Sequence, residues 1–583
     1  MDELFPGLHR FRDTCNVYLL LRDQRALLVD FGDGDILEET DVGSIDCVLH
    51  THYHRDMCQG DWKLPGTVQV IVPRGELSYF SGVETFWRDK EFFVNYDMRN
   101  EFFALRRSIR VARAVAQGDE IEWRGLKLSV LDTPVHSEGS VSFLTEFEGK
   151  RVLFCGDLIY GNGKLWTFHD LEWDYCNVTG LRTAIDTVAR LEELDLDLLL
   201  PAHGEPILRP KEALATLQQR LRKALDLLDW HSGSQTRTRV EPYRVTSHIA
   251  VVGSTTSALI LSDSGHALVC DWGYVPNGTL RDLKAQFNIK RINAVFFSHY
   301  HDDHIAQSNE LRETEGAELW AYEGMVDILA SPRHYNLPCL WREPIRVDRV
   351  LRDGERILWQ GLDLRFYHLP GQTRYAMGLF LEDDGKRILL TGDNIPAPTP
   401  GGILRGQFCS RNRQEFGGGY LQSAKKMLEL EPQLLIGSHW EPCQVTREDL
   451  ERHLNWARDT EKVLKDLIGQ PDPAFGIDPT WASFCPYQVA VQPGESFQVE
   501  LRIRNHLRKE APFSASIRIP RDWSALPTSV KTVLEPRSET SIRFILTTAP
   551  YPYPRAVYTA DIRLNNIRFG ELPEGIVNFV SRH

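Results

Sequence analysis

A set of short polar motifs occurs twice in this chain, in the same order, and this repeat constrains the fold more than any other feature. Residues 51–57, Thr-His-Tyr-His-Arg-Asp-Met, return at 298–304 as Ser-His-Tyr-His-Asp-Asp-His. Each copy follows a short apolar run of the kind that forms a buried strand. Motifs repeated in this way predict one structural unit that is present twice in tandem.

Two further pairs of segments set the alignment of the two copies. The matching segments are 149–159 with 385–395 and 201–206 with 437–442. Both pairs are separated by the same number of residues, and the same offset aligns His136 with Gln372. The first motif is offset by slightly more, so the first copy has a short insertion between its first two motifs.

Each copy ends in an apolar-periodic stretch, which predicts a closing amphipathic helix. In the first copy it covers 211–228, and in the second it follows a start that resembles a capping box, from Thr446 to Asp449. We therefore assign the first domain to residues 1–235 and the second to 236–470.

The segment after the second copy, residues 471–583, has a different pattern. Apolar and polar residues alternate with a period of two at 497–503, 541–546 and 557–564, with Pro and Gly between the stretches. Such short, regularly spaced strands predict a small all-β, immunoglobulin-like sandwich. No group of reactive side chains points to chemistry there, so we expect this segment to dock a protein partner or another part of the same chain.

The His-x-His-x-Asp pattern of each copy suits a divalent metal. The end of a buried strand places several side chains at one edge of a sheet, where two imidazoles and a carboxylate can converge. Zinc is the first metal to expect for such mixed ligands. In both copies a Gly-Asp after one strand and a His after another follow in order, and this order strengthens the prediction.

This ordered pattern resembles the metallo-β-lactamase superfamily, and the resemblance covers roughly residues 1–470 as two tandem copies. It implies an α/β fold in which each copy is an αββα sandwich with a metal pair at one edge of two packed sheets. It also implies a first metal held by three histidines, a second held by an Asp and two histidines, a bridging Asp, and a metal-bound hydroxide as the nucleophile.

The resemblance assigns a ligand set to each copy by position. In the first copy it implies His52, His54 and His136 for the first metal, Asp56 and His203 for the second, and Asp157 as the bridge. In the second copy it implies His299 and His301 for the first metal, Asp303, His304 and His439 for the second, and Asp393 as the bridge.

Each copy departs from the family pattern at one ligand. The first has Met57 in place of a histidine, and since a thioether is a weak ligand for zinc, we expect Met57 to pack instead. The second has Gln372 in place of a histidine, and its amide oxygen is a weaker ligand than imidazole. The first copy thus keeps the complete first-metal set, and the second copy keeps the complete second-metal set.

These departures leave two interpretations of the metal content open. Each copy holds one tight and one labile zinc, or each holds a single zinc, with Asp56 free to act as a general base. A single zinc with three protein ligands and a water position is enough to lower the pKa of the water to ~7. We therefore expect the first copy to be the active site, and Fe(II) suits the same ligands as an alternative metal.

The expected function is a metal-dependent hydrolase for a small organic substrate of the ester, thioester, lactone or phosphodiester class. Two alternatives stay open: an iron-dependent dioxygenase on the same fold, and a metal-stabilised scaffold without catalysis. The metal found in the protein would separate the first alternative from the hydrolase, and a fully loaded but inert protein would favour the second.

Aromatic side chains are concentrated between the first two motifs of the first copy. They are Phe86, Trp87, Phe92, Phe93, Tyr96, Phe102 and Phe103. This stretch favours a helix that packs its apolar face, and a wall of the metal cleft is the functional alternative. Trp166, Phe168 and Trp173 leave the same two possibilities.

Charge and cysteine usage indicate the partners and the location. Lys and Arg total 67 against 81 Asp and Glu, a net charge of −14, which disfavours broad nucleic-acid binding. The first residues lack a basic signal-peptide region, no apolar run could span a membrane, and the ten cysteines form no close pair. We expect a cytoplasmic protein without nucleic-acid or membrane partners, whose two copies pack as an internal pseudo-dimer.

Overall fold

The chain forms two compact units. The computed structural model describes residues 1–39, 43–96, 103–175, 177–229, 239–395 and 404–580. The first unit combines Met1–Glu91, Asp97–Lys223 and Leu464–His583, and the second combines Phe92–Tyr96 and Ala224–Val463. The predicted boundary between residues 235 and 236 lies outside the described residues, as does Phe102, and the three-domain division stays a prediction.

The first copy forms two sheets, each with a mixture of parallel and antiparallel pairs. One sheet contains, in spatial and chain order, β1 (Asp2–Phe5), β2 (Leu8–Arg12), β3 (Asn16–Arg22), β4 (Arg25–Val29), β5 (Ser44–Leu49), β6 (Gln69–Pro73) and β7 (Arg113–Val115). The other contains β8 (Glu120–Trp123), β9 (Leu126–Asp132), β10 (Val141–Phe147), β11 (Lys150–Gly156) and β12 (Leu198–Pro201). The helices are α1 (Arg55–Cys58), α2 (Leu77–Ser81), α3 (Val83–Asp89), α4 (Thr179–Glu192) and α5 (Pro210–Leu228).

The hydrophobic core of the first copy lies between its two sheets. Tyr18 and Leu20 alternate along β3 and pack in one cluster with Phe143 of β10. Helix α4 buries one side, which includes Leu181 and Val188, as expected for a helix of an outer layer. Two sheets with helices outside them are the predicted αββα arrangement.

The second copy repeats this architecture. Its first sheet contains β13 (Tyr243–Arg244), β14 (Ile249–Val251), β15 (Ala258–Leu261), β16 (His266–Cys270), β17 (Arg291–Phe296), β18 (Glu318–Tyr322) and β19 (Arg349–Leu351). Its second sheet contains β20 (Glu355–Trp359), β21 (Leu362–His368), β22 (Met377–Asp383), β23 (Lys386–Gly392), β24 (Leu434–Gly437) and β25 (Cys443–Gln444). The helices are α6 (Thr279–Phe287), α7 (Asp302–Ile305), α8 (Ser308–Glu315), α9 (Val326–Ala330), α10 (Gly419–Leu430) and α11 (Arg447–Leu467). Leu268 and Phe296 from one sheet share a core with Phe366 and Leu379 from the other.

The C-terminal segment forms two sheets around their own core. After α12 (Ala474–Ile477) come β26 (Ala482–Cys485), β27 (Gln488–Val491), β28 (Ser496–Arg504), β29 (Ala511–Arg518), β30 (Ser524–Leu526), β31 (Ser529–Leu534), β32 (Glu539–Thr547), β33 (Ala556–Leu564) and β34 (Ile567–Phe579). One sheet has the order β26-β28-β32-β30, and the other has the order β27-β34-β33-β29-β31. Leu501 and Tyr558, one from each sheet, lie in the shared core. The fold class predicted from sequence, two αββα units followed by a β-sandwich, is confirmed.

Several local predictions are also confirmed. Both closing helices are present as α5 and α11, and the backbone nitrogen of Thr446 donates to Asp449 Oδ2 at 2.8 Å, as in a capping box. The described cysteines are free thiols, and Cys176 lies outside the described residues. In the described part of the chain, no helix combines the length and the apolar character that crossing a bilayer requires.

Candidate metal centres

Parallel strand pairs bring the separate motifs of the first copy to one edge of the fold. Strand β5 runs parallel to β4 and β6, and His52 and His54 follow its carboxyl end. In the second sheet β11 pairs in parallel with β12, so Asp157 and His203, which follow these two strands, become neighbours. The carboxyl ends of parallel strands commonly form such binding edges.

Three histidines of the first copy converge at this edge. One ring nitrogen from each of His52, His54 and His136 lies within 4.8 Å of the other two. The shortest of these separations, 3.0 Å, joins His54 Nδ1 to His136 Nε2. All three side chains are buried. Three imidazoles with space for a water are the donor set of a catalytic zinc.

Two of the buried rings, those of His52 and His54, are in the protonation state that binds a metal. Burial lowers the pKa of His52 and of His54 well below the ordinary value, and His136 lowers both further, so the two rings are neutral. Thr51 Oγ1 donates to Asp30 and lies 3.1 Å from His52 Nδ1, from which it can accept. His52 Nε2 is buried and has no hydrogen-bond partner in the part of the chain that the structure describes. A metal ion would satisfy this lone pair, so the triad fits the cofactor that the fold implies.

The remaining predicted ligands of the first copy lie beside the triad but are arranged differently. Asp157 Oδ1 is 2.8 Å from His203 Nδ1, and Asp157 Oδ2 is 3.9 Å from His52 Nε2. His203 Nε2–H donates to the carbonyl of Thr14 at 3.1 Å, and the same nitrogen is 3.6 Å from Asp56 Oδ2. In this conformation the nitrogen of His203 that faces Asp56 donates to the carbonyl of Thr14, so a second metal here would have to replace that hydrogen bond.

Asp56 has the protonation behaviour of a general base. It lies in α1, two residues after His54. Burial raises the pKa of Asp56, and although His203 lowers it, the pKa is about 7. A carboxyl with this pKa can take up and release a proton near neutral pH.

Met57 occupies the position where the second copy has His304. The Met57 side chain is completely buried. In the second copy His304 Nδ1–H donates to Asp271 Oδ2 at 2.8 Å. In the first copy the corresponding acid, Asp30, accepts from Thr51, as Asp271 accepts from Ser298. The substitution thus removes one imidazole and with it one hydrogen-bond donor to the supporting carboxylate.

The second copy assembles the opposite half of the family's site. Ligand atoms of Asp303, His304 and His439 lie within 4.8 Å of one another. His439 Nε2 is 3.2 Å from Asp303 Oδ2 and 3.2 Å from Asp393 Oδ2. Among the described residues His304 Nε2 has no hydrogen-bond partner, and the ring donates to Asp271 through Nδ1. Burial lowers the pKa of His304, but Asp303, Asp393 and Asp271 raise it well above its ordinary value, so a metal bound at Nε2 would displace a proton.

The charge of this second cluster favours a cation. Burial lowers the pKa of His439, but Asp393 and Asp303 raise it more, to about 10. The two carboxylates therefore attract positive charge to this point. A divalent ion would supply that charge and would displace the proton from His439.

Gln372 changes the first-metal half of the second copy. Its amide Nε2–H donates to Asp393 Oδ2 at 3.0 Å and to Gln407 Oε1 at 2.6 Å. His299 Nε2 and His301 Nδ1 are 2.9 Å apart and form a close group with Asp393. The NH₂ group carries no lone pair for a metal, whereas Gln372 Oε1 is buried and has no hydrogen-bond partner among the described residues. This half therefore offers two imidazoles, a carboxylate and an amide oxygen, which is a weaker ligand than imidazole.

The structure groups the predicted ligands as follows. In the second copy all six fall into two close groups, which are His299, His301 and Asp393, and Asp303, His304 and His439. In the first copy the close group among the described residues is His52, His54 and His136. Their role as metal ligands remains a prediction.

The C-terminal segment closes one side of the first copy's site. A cleft with a volume of about 40 Å³ reaches His54 and His136. Phe475, Trp481 and Phe569 of the C-terminal segment line the same cleft. The sequence patterns of that segment indicated strands only, so this contribution to the site was missed.

Trp166 joins the metal site to the C-terminal core. Its ring stacks on His203, with centroids 4.4 Å apart and planes 2° apart. It also lies 6.2 Å from the ring of Phe569 and belongs to the hydrophobic cluster of the sandwich. Of the two possibilities open for Trp166, the structure thus supports the wall of the cleft.

Asp170 and His169 also enter this cleft. Asp170 Oδ2 lies 3.7 Å from His136 Nε2 and 3.3 Å from His169 Nδ1, and Thr167 Oγ1 donates to the same carboxylate. Sequence reasoning missed both residues. Their one signal was their position in the tryptophan-rich stretch after Asp157.

The acids that support the motifs were missed as well, although a signal for them exists. Asp30 and Asp271 lie in matching segments, Val-Asp-Phe-Gly at 29–32 and Cys-Asp-Trp-Gly at 270–273. Each accepts from the residue that precedes the first motif histidine. The repeat of an Asp-aromatic-Gly sequence before both motifs could have identified them.

Each Gly-Asp motif requires its glycine for steric reasons. Gly156 has φ +53°, and a Cβ there would lie 2.8 Å from Thr51 Oγ1. Gly392 has φ +58°, and a Cβ there would lie 2.7 Å from Ser298 Cβ. Only glycine adopts this backbone conformation and permits this close approach without strain. The glycine thus brings the aspartate of the motif next to the segment that carries the histidines.

Comparison with known protein families identifies the fold family. The model of the metallo-beta-lactamase superfamily matches residues 10–203 and 250–439, more than half of the chain. The chain belongs to the metallo-beta-lactamase superfamily. The two matched segments correspond to the two copies, and they end at His203 and His439.

Similar proteins match shorter parts of the chain. An uncharacterized protein of Mycobacterium tuberculosis is 28% identical over 140 residues, which are 22% of this chain and 62% of that protein. A hydroxyacylglutathione hydrolase of Aeromonas salmonicida is 24% identical over 151 residues, 25% of this chain and 47% of that protein. The chain therefore spans less than two thirds of the length of these relatives. Among solved structures, a beta-lactamase from Chitinophaga pinensis aligns with a TM-score of 0.32 and 17% identity, over 39% of this chain and 95% of that one.

Proposed function

We propose that this protein is a metal-dependent hydrolase whose first copy acts on a small organic substrate. The observation that carries the proposal is the convergence of three buried imidazoles, from His52, His54 and His136, in a cleft beside Asp56. Membership of the superfamily and the similarity to a hydroxyacylglutathione hydrolase support hydrolysis as the reaction type.

Zinc is the proposed metal, with one ion in the first copy and one or two in the second. Three imidazoles form a common catalytic zinc site, and Fe(II) is the alternative for the same ligands. When bound, the metal would activate a water and polarise the oxygen of the scissile group.

The chain's own residues would position the reacting groups and move the proton. Asp56, with a pKa of about 7, would accept a proton from the attacking water and return it to the leaving group. His203, held between Asp157 and the Thr14 carbonyl, would keep Asp56 partly ionised. Burial of these groups would exclude bulk water and strengthen their interactions.

The cleft favours a small substrate with an apolar flank. Its volume of about 40 Å³ is small, so the reacting group would enter it and the rest of the substrate would extend along the aromatic residues that line it. Aromatic rings of Trp166, Trp481 and Phe569 line it and would pack against an apolar part of the substrate. Esters, thioesters, lactones and phosphodiesters of small size meet these conditions, and the similarity to a hydroxyacylglutathione hydrolase favours the thioester.

The test compares matched double variants of the two copies, H52A/H54A and H299A/H301A, in the zinc-loaded protein. The substrates are chromogenic esters, thioesters, lactones and bis-aryl phosphates. We expect turnover in the wild type, its loss in H52A/H54A with one zinc fewer per chain, and near-normal turnover in H299A/H301A. We expect D56N to lower kcat by about 100-fold or more and to keep its zinc.

Three results would contradict the proposal. A zinc-loaded wild type that is inert on the whole panel would favour a scaffold. Loss of turnover in H299A/H301A alone would move the active site to the second copy. Iron as the metal found in the purified protein, together with oxygen uptake on a sulfur substrate, would favour a dioxygenase.

A further inference from the structure

A second cavity in the first unit, away from the predicted metal ligands, has an unusual charge. It has a volume of about 820 Å³ and lies between residues of the first copy and of the C-terminal segment. Its charged lining residues are Lys63, Arg106, Arg107, Arg518, Arg521 and Arg555, against Asp33, Glu84 and Glu571. The whole chain carries a net charge of −14, so a cavity with this excess of cations stands out.

The three acids of the lining are already engaged. Glu571 pairs with Arg106 at 2.5 Å, and Asp33 pairs with Arg568 at 2.6 Å. Glu84 accepts a hydrogen bond from the backbone nitrogen of Ser108 at 2.9 Å. Glu571 and Asp33 are therefore each paired with an arginine, and the lining keeps more cations than acids.

Two guanidinium groups of the lining have no carboxylate partner among the described residues. Arg107 lies over the ring of Trp62, 5.2 Å from its centroid, and Arg521 is an exposed residue of the same lining. Burial lowers the pKa of Arg107, and the charges of Arg106 and Arg521 lower it further, so these cations are close enough to repel one another. Bringing unpaired like charges together costs free energy, which an anion between them would recover.

The size and the apolar lining of the cavity indicate an organic anion. Trp62, Ile519, Pro520 and Tyr553 contribute ring and aliphatic surface. The Trp62 side chain is 55% exposed, so part of its ring is available to a ligand in the cavity. A volume of about 820 Å³ is several times that of a phosphate ion and matches the pockets that hold drug-sized ligands.

We propose that this cavity binds a phosphate-bearing small molecule of about nucleotide size. The phosphoryl group would lie between Arg107 and Arg521, whose planar, always charged guanidinium groups match its oxygens in pairs. The organic body would lie against Trp62 and Tyr553. This proposal does not depend on hydrolysis, because none of the lining residues is a predicted metal ligand.

The test measures binding to the full-length protein by calorimetry at low salt, with adenosine 5′-monophosphate as the probe. Inorganic phosphate supplies the charge without the ring, and adenosine supplies the ring without the charge. The variants are R107Q and R521Q. R543Q is the control, since Arg543 is an exposed arginine of the same segment that pairs with Glu500 outside the cavity.

We expect the nucleotide to bind more tightly than phosphate or adenosine. R107Q and R521Q should each weaken its binding about tenfold, the loss of one charge-assisted contact, and R543Q should change it less than twofold. Binding of the nucleotide to the wild type should also weaken as the salt concentration is raised, because salt screens the charges.

The proposal is wrong if no binding is detected at about 10 mM nucleotide, because so low an affinity corresponds to a binding free energy too small for a built site. It is also wrong if R543Q weakens binding as much as R521Q, because the attraction would then be a general effect of charge. Tighter binding of adenosine than of the nucleotide would likewise overturn it. R521Q changes an exposed side chain, so its result stands even if R107Q impairs folding.

Discussion

At the scale of single residues, neighbouring partners decide what a buried histidine does. His50 lies 2.7 Å from Asp61, and although burial lowers its pKa, Asp61 and Asp30 raise it to about 9, which makes it half of an ion pair. His52, two residues on, is neutral and keeps a free lone pair beside two other imidazoles. Residue type alone does not separate these roles.

His453 shows that a free lone pair is also not sufficient. Its Nδ1–H donates to the carbonyl of Leu404 at 2.7 Å, and its Nε2 is buried with no hydrogen-bond partner among the residues described. Its ring stacks on Trp456 and belongs to none of the potential metal clusters in the described parts of the chain. A second and a third donor nearby are what distinguish a metal site.

His453 predicts a pH dependence of stability. Burial lowers its pKa from 6.5 to about 4 in the folded state. Below pH 6.5 the unfolded chain binds a proton that the folded chain excludes, so stability is lost as the pH falls from about 6.5 to about 4. The loss would reach about 3 kcal/mol at the lower limit.

Urea unfolding of the wild type and of H453Q at pH 7.5, 6.5 and 5.5 checks this expectation. The comparison uses the change with pH, so a lower stability of H453Q at all pH values does not matter. Below pH 6.5 the free energy of unfolding should fall more for the wild type than for H453Q. An equal dependence of the two free energies of unfolding on pH would show that the folded protein binds a proton at His453 as readily as the unfolded chain does.

At the scale of elements, the short helix α1 links the first motif to the C-terminal segment. Arg55 follows His54 directly, and its side chain is buried against β34. It pairs with Glu574 at 2.6 Å and donates to the carbonyls of Leu572 at 2.8 Å and Ala104 at 2.9 Å. One side chain thus holds the motif loop against the segment that lines the cleft.

Removal of this cation should destabilise the first unit. R55M leaves Glu574 buried and unpaired, which we expect to cost about 3–5 kcal/mol. The control is R88Q, because Arg88 pairs with Asp89 at the surface and should contribute less than about 1 kcal/mol. Denaturant unfolding measures both variants. If the free energy of unfolding falls as little in R55M as in R88Q, the buried ion pair contributes little to stability.

At the scale of the whole molecule, the order of the segments in sequence differs from their grouping in space. The C-terminal segment belongs to the first unit with the first copy, although the second copy separates them in sequence. Trp166 of the first copy shares a hydrophobic cluster with Phe475 and Phe569 of that segment. The first unit is therefore built from both ends of the chain.

This grouping predicts the effect of deleting residues 471–583. The deletion would expose aromatic side chains around Trp166. Burial of each such side chain contributes about 1.5–3 kcal/mol to the free energy of unfolding. We expect the first unit to unfold at a lower temperature and to lose its turnover. Thermal unfolding followed by calorimetry measures this, and the transition of the second unit is the internal control. Unchanged turnover in the shortened chain would contradict the expectation.

Much of the site could be predicted from the sequence because it depends on local features. Strand ends, the Gly-Asp turns and the identity of residues such as His52, His136 and Met57 are all visible in short segments. Burial of Met57 and the alignment of His136 with Gln372 follow from the same information. The conformation of His203 could not be predicted, because the Thr14 carbonyl that binds its Nε2 is 189 residues away in sequence.

The sequence by itself determined the duplication, the family, the fold class and the residues that each copy can offer to a metal. These depend on residue identity and on spacing within one copy. The tertiary structure alone decided which nitrogens face the site, that Gln372 turns its NH₂ toward Asp393, and that the C-terminal segment closes the first cleft. The physical reason is that such contacts join residues far apart in the chain, where packing rather than local periodicity selects the partner.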